Sequence, residues 1–178
     1  MTDDVYVEVG GKSHRELLER FGCCKPHVPI PGKRRNQCLE PWSHKIETYI
    51  HRDVLPQASV RRRTHDYRLL LLFDGLQLVA VAGHEQVKPA QMMTTRYIDF
   101  LAVRTDMRGR KLSNGQRCSD AAMGMVLNDI NERAPLVTVV TSDVHRQNSA
   151  SIGFLTRAGA LIGPDAVNDL RPVVLLRL

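Results

Sequence analysis

Two apolar runs, Tyr67 to Phe73 and Leu76 to Ala82, stand on either side of Asp74 and Gly75. An Asp-Gly pair between strand-length apolar stretches is a strong hairpin signal, because the tight turns that join antiparallel strands place residues at positive φ. Upstream, Ser13 and Glu16 form a capping-box pattern and Gly22 supplies a stop. They predict a short helix over residues 14 to 21 with Leu17, Leu18 and Phe21 as its apolar face. Cys23 to Pro41 holds Pro26, Pro29, Pro31, Gly32 and four basic residues, and reads as a long irregular loop. Trp42, Ile46, Tyr49 and Ile50 recur at helical spacing and predict a second helix that ends near Val54, ahead of Pro56.

Downstream, Tyr97 to Val103 reads as a third strand. Met123, Val126, Leu127 and Ile130 mark one helical face, with Ser119 or Asp120 as its cap. Leu136 to Thr141 has the composition of a buried strand, Asn148 can cap a helix that runs through Ala158 to a stop at Gly159, and Val173 to Leu176 reads as a last strand. The order is helix, helix, hairpin, strand, helix, strand, helix, strand. At 178 residues, 43% hydrophobic and 25% charged, residues 1–178 are expected to form a single domain with a full core.

The formal charge of +6 is concentrated in Lys33, Arg34 and Arg35, in Arg61, Arg62 and Arg63, and in Arg104, Arg108, Arg110 and Lys111. Such clusters suit an anionic ligand, polyphosphate or nucleic acid, or are simply solvated faces. Aromatic residues are only 5% of the chain and none alternates with these arginines, so the stacking platform of a single-strand nucleic-acid binder is not visible. No apolar run approaches the roughly 18 residues of a membrane span, and the start at Thr2, Asp3 and Asp4 is unlike a secretory signal. The expectation is a cytoplasmic chain, without membrane contact, whose Cys23, Cys24, Cys38 and Cys118 are reduced.

A strand ending at Val103, then Arg104 to Ser113, then a helix, is a layout in which backbone N–H groups and a helix N-terminus can hold phosphate. Gly109 permits close backbone approach, and Arg108, Arg110 and Lys111 add charge matched to phosphate oxygens. About 40 residues on, Asn148, Ser151, Ile152, Phe154, Arg157 and Gly159 follow the buried strand. Together with Leu101, Ala102, Val103, Arg108 and Gly109, this set resembles the GCN5-related N-acetyltransferases, or GNAT superfamily, over roughly Tyr67 to Gly159.

The resemblance implies an α/β (α+β) fold with a mixed, mostly antiparallel sheet flanked by helices. It implies transfer of an acetyl group from acetyl-CoA, the co-substrate, to a primary amine by direct attack. Leu101, Ala102 and Val103 would pair with the pantetheine arm, and the Leu101 N–H would polarise the thioester carbonyl, an oxyanion-type contact. The family's phosphate turn, Arg or Gln, two residues, Gly, one residue, Gly or Ala, falls on Arg108 to Ser113, so Arg108, Gly109, Arg110, Lys111, Leu112 and Ser113 are the expected cofactor-binding residues. Lys111 and Ser113 replace the two small residues. If the following helix starts late, at Ser119 and Asp120, a longer loop through Asn114, Gly115, Gln116 and Arg117 lets Arg110, Lys111 and Arg117 contact phosphates directly. Asn148 would hydrogen-bond the cofactor arm, with a plain helix cap as the alternative.

Where the family often carries a tyrosine that protonates the thiolate, this chain has Leu155. Solvent can supply that proton, or Tyr97 can, unless Tyr97 is only a structural strand residue. The attacking amine must be neutral, and a lysine-type amine has a pKa near about 10.4, so a base or water relay is expected. Asp99, Glu85 and His84 are the candidates. Asp99 stands out, because a carboxylate in an apolar strand is costly unless partnered, and alternation places it on the face of Leu101 and Val103. Its alternative role is as a buried partner for an arginine. Residues 1–66 would shape the acceptor site, and the acceptor is a small amine, a protein amine or an aminoacyl-tRNA. The rival reading is a non-catalytic acyl-CoA sensor, with a homodimer left open for either. Cys23, Cys24, His27, Cys38 and His44 match no regular zinc spacing, so no metal is expected.

Overall fold

The computed structural model describes residues 4–26, 28–29, 36–87, 95–164 and 168–176. In chain order its elements are β1 (Val5–Val9), α1 (Arg15–Glu19), β2 (Val28–Pro29), β3 (Asn36–Gln37), α2 (Pro41–Arg52), α3 (Val54–Thr64), β4 (Arg68–Asp74), β5 (Gln77–Val87), β6 (Thr95–Val103), α4 (Cys118–Arg133), β7 (Val139–His145), α5 (Ser149–Arg157), β8 (Leu161–Ile162) and β9 (Leu170–Leu176). Seven strands form one sheet in the order β1-β4-β5-β6-β7-β9-β8. Every neighbouring pair is antiparallel except β6 and β7, which run parallel. No helix among the described residues is long and apolar enough to cross a membrane.

The hairpin forms where the Asp-Gly pair predicts it, with Gly75 at φ +58° and Leu76 fully out in solvent. β4 lies inside the sheet and is covered on both faces, which is why it reads as a run of leucines. Leu70 and Leu72 join a cluster with Ala122, Val126 and Ile130 of α4. Leu69 and Leu71 join another with Leu18 of α1, Ile50 of α2 and Val54 and Ala58 of α3. Each such leucine contributes about 1.5–3 kcal/mol by burial.

Several boundaries differ from the sequence expectation. The first helical segment is a 3-10 turn, Lys12–His14, followed by the short α1; Leu18 and Phe21 are buried but Leu17 is exposed. Pro56 begins a helix instead of ending one: it sits in the first turn of α3, where its missing N–H would have no partner anyway. β1 carries little sequence signal: its five residues pair with β4 at the sheet edge, where neither face is fully covered and the apolar contrast is weak. β7 is displaced toward the C-terminus, leaving Leu136 exposed and taking in Ser142, Asp143 and His145, whose polarity hides a strand.

One register event organises the rest. Gly83 of β5 faces Phe100 of β6, but His84 faces Ile98, so Asp99 is an extra residue in β6, a β-bulge. The bulge resets the alternation: Ile98 and Leu101 pack with α4, whereas Phe100 packs with the helices of the other face. The expected common face of Asp99, Leu101 and Val103 is therefore corrected, since Asp99 hydrogen-bonds Arg61 of α3.

The α4 face carries a buried polar group. His84 is fully buried with Nε2 3.0 Å from Asp129 Oδ2, and Arg68 grips the same carboxylate at 2.7 Å. His84 is thus a core residue of that face and not a base at the end of a cleft. Burial, outweighing the hydrogen bond to Asp129, holds the His84 imidazole below its ordinary pKa. Burial would raise the Asp129 carboxyl, but His84 and Arg68 hold it well below the usual carboxylate range. Both groups bind protons less readily in the folded state. Stability should therefore decline as pH falls below about 6.5, the unfolded histidine value, and again below about 4, by at most about 1.4 kcal/mol per pH unit for each group. In urea titrations His84→Gln should flatten the first limb; an unchanged limb would assign it elsewhere.

Candidate functional site

β6 and β7 pair only from Thr95↔Val139 to Ile98↔Ser142, while β6 stays paired with β5 as far as Val103. Beyond Ile98 the two parallel strands part and open a wedge. The Ser142 hydroxyl donates to the Ile98 carbonyl at 2.9 Å and closes its apex. Arg104 N–H donates to Val79 O at 2.9 Å, which makes that pair a hydrogen-bonded rung. Alternation from there turns the N–H and C=O groups of Ala102 and Phe100 toward β5, and those of Leu101 and Val103 into the wedge. An open strand edge of this kind pairs readily with an extended amide-bearing chain.

The basic turn follows at the wide end of the wedge. α4 starts late, at Cys118, with no side-chain cap, and residues 110 to 118 fold into a small hairpin. Cys118 N–H donates to Arg110 O, Leu112 N–H to Gln116 O, and Lys111 bridges Arg117. Gly109 and Gly115, at φ +74° and +83°, make the two bends. This geometry divides the expected cofactor residues. The Leu112 side chain is buried in the core and its N–H is used inside the hairpin. Ser113 gives its N–H and hydroxyl to Asp74, the latter at 2.5 Å. The Arg108 guanidinium holds Glu40 at 2.7 Å, the Ser43 hydroxyl and the Cys23 carbonyl, so it braces the N-terminal segment. Arg110, Lys111 and Arg117 are exposed and outside the ion pairs among the described residues. The N–H groups of Gly109 and Lys111 likewise have no acceptor there. Across the wedge, Asn148 caps α5 by accepting from Ser151 N–H at 3.1 Å.

The opposite face of the sheet, at the bulge, holds a hub on Arg61. Its guanidinium grips Glu85 at 2.5 and 2.9 Å and Asp99 at 2.9 Å, and lies 4.4 Å from the centre of the Tyr67 ring. The Tyr49 and Tyr67 hydroxyls donate to the same Asp99 oxygen at 3.4 and 3.3 Å. Burial disfavours the Arg61 charge, but Glu85 and Asp99 outweigh it and hold its pKa above the ordinary value. Asp99 and Glu85 are thus brought together as partners of one arginine. Two further pairs escaped the sequence reading: Tyr97 OH donates to Asp143 at 2.9 Å, and Trp42 of α2 stacks on His145 at 4.8 Å.

No protein-family model and no curated protein matches this sequence. Solved structures do. PaiA N-acetyltransferase from Thermoplasma acidophilum, in complex with coenzyme A, superposes with a TM-score of 0.68 at 12% identity, over 98% of this chain and 99% of that one. A Desulfovibrio desulfuricans protein assigned to the acetyltransferases of the GNAT family gives 0.61 at 12% identity, over 97% and 99%. AtaTR bound with AcCoA gives 0.61 at 14% identity, over 98% and 94%. The chain has the GNAT fold.

Within the GNAT fold of this chain, Cys23, Cys24 and Cys118 hold their thiol protons more tightly than a free cysteine. Burial first, and then the Glu47 charge, push the Cys23 thiol up to about 12; Glu47 also accepts both the Cys23 and Cys24 N–H groups. Burial and the neighbouring Cys38 push Cys24 up to about 11, and burial does the same for Cys118. No group of three metal-capable side chains stands together among the described residues; His27 lies outside them. Gly83 is the hidden support of the hub, since a Cβ there would lie 2.1 Å from the Tyr67 hydroxyl and 2.8 Å from the Phe100 ring. Gly83→Ala should displace Tyr67 from Asp99 and destabilise the protein by about 1–3 kcal/mol in urea unfolding; no loss of stability would show that the ring moves freely.

Proposed function

We propose that the protein is an acetyl-CoA-dependent N-acetyltransferase that acylates a primary amine by direct attack. The observation that carries this is the wedge: a β6 edge at Leu101 and Val103, unpaired among the described residues, that ends in a basic turn. A pantetheine arm has amides of its own and would complete the missing half-ladder. The Leu101 N–H would then face the thioester carbonyl, a preorganised donor of the kind that stabilises developing oxyanions. Coenzyme A and AcCoA in the similar structures named above support the same co-substrate here.

The fit at the pyrophosphate end differs from a glycine cradle. Gly109 and Lys111 would offer N–H groups, and Arg110, Lys111 and Arg117 would offer side-chain charge, while Ser113 stays with Asp74. Residues 1–66 would shape the acceptor side through Trp42, Tyr49 and Arg61, with Asp99 and Glu85 ordering its base of polar groups. An aminoacyl-tRNA acceptor is less well supported, because two of the three arginines that end α3 are engaged: Arg61 is turned inward and Arg62 donates to the Gly10 carbonyl. The Lys33 to Arg35 cluster lies outside the described residues.

Calorimetry with acetyl-CoA should show binding that weakens as salt rises. Losing one charge-assisted contact costs about 1.5–3 kcal/mol, so Lys111→Ala or Arg117→Ala should lower affinity roughly 10- to 100-fold. Thiol release should then require a primary amine. Tight binding without amine-dependent release, across a panel of small and peptide amines, would favour the sensor; no binding would reject both readings. Asp99→Asn tests the expected base, and an unchanged pH profile of thiol release would remove it from that role.

A further inference from the structure

Tyr97 and Asp143 face each other across the apex of the wedge. Tyr97 lies inside the ladder opposite Thr141, Asp143 lies one position past the last rung at Ser142, and the hydroxyl spans them at 2.9 Å. Tyr97 is half-buried and Asp143 is exposed. An extended arm along Leu101 and Val103 cannot pass the apex, because from Ile98 back the strands are bonded to each other. Its reacting end must stop there, beside this pair. Leu155 of α5, packed against the α4 core and against the cluster of Val144 and Val173, has no proton to give.

Resting on the acyltransferase reading above, we propose that Tyr97 and Asp143 are the proton relay of the transfer, Asp143 receiving the proton the attacking amine loses and Tyr97 giving its own to the departing thiolate. The step balances. The amine nitrogen bonds to the acyl carbon, and the C–S bond breaks with its electron pair on sulfur. One proton goes from nitrogen to the Asp143 carboxylate and one from the Tyr97 hydroxyl to sulfur. The proton now on Asp143 crosses the existing hydrogen bond to the phenolate, and both side chains return to their starting state.

The electrostatics order the events. Burial, then the hydrogen bond and charge of Asp143, then the charges of Asp99 and Glu85 push the Tyr97 hydroxyl above its ordinary value. Tyr97 therefore stays protonated while the amine approaches. Once Asp143 has accepted a proton its part of that push disappears, and the tyrosine proton becomes easier to give up. Release to sulfur thus follows attack at carbon.

Tyr97→Phe and Asp143→Asn, each nearly isosteric, separate this relay from a structural cross-link. Each should lower kcat for amine-dependent thiol release roughly 100-fold, with calorimetric acetyl-CoA affinity within about twofold of wild type. The double variant should fall no further than the worse single, as expected of groups that act as one unit. Single variants within about twofold of wild type, or a double loss equal to the product of the singles, would overturn the relay and leave the acyltransferase reading intact. If Tyr97→Phe does not fold, Asp143→Asn decides alone: a normal kcat overturns the relay. A wild-type protein that binds acetyl-CoA yet turns over no amine would bring down the acyltransferase reading and the relay with it.

Discussion

One extra residue in β6 divides this molecule between its two faces. Without the bulge at Asp99, strict alternation would send Leu101 and Asp99 to the same side of the sheet. With it, Leu101 and Val103 pack toward α4, while Asp99 joins Arg61, Tyr49 and Tyr67 under the N-terminal helices. The cofactor-like edge and the ion-paired hub thereby come within one strand of each other without sharing a surface. The parting of β6 from β7 begins at the same level, so the bulge, the wedge apex and the Tyr97 to Asp143 bond occupy one cross-section of the sheet.

What could be read in the sequence was local. The Asp74 and Gly75 turn, the apolar face of α4, the Asn148 cap and Gly159 at φ +81° each depend on a few neighbouring residues, and each lies where the residues predict. What could not be read depends on partners far away in the chain. A bulge exists only relative to a second strand; Arg61 reaches 38 positions to Asp99, and Tyr97 reaches 46 to Asp143. Pro56 misled because proline ends a helix from within but starts one from its first turn. The apolar run from Leu136 points to an earlier β7 because the polar half of the strand is the half that leaves β6 and lines the wedge.

The basic turn shows charge and backbone trading places. A glycine-rich cradle brings N–H groups close to phosphate by having no side chains in the way. This chain keeps Gly109 but places Lys111 and Ser113 where small residues are expected, and folds the extra length into a hairpin plugged by Leu112. On the acyltransferase reading proposed above, three exposed cations at the same mouth would offset the N–H groups used by that hairpin and by Asp74. Recognition built from flexible cations is less exacting in geometry and more sensitive to ionic strength than a rigid cradle.

Arg108 has a separate consequence. Its guanidinium joins the turn after β6 to Glu40, Ser43 and the Cys23 carbonyl, and Thr105 adds a bond from the same turn to Gly22. The two ends of the protein are therefore not interchangeable parts. A chimera whose N-terminal half lacked Glu40 would leave the Arg108 guanidinium without its carboxylate. Arg108, Arg61 and Trp42 thus each tie the N-terminal half to the sheet that follows it.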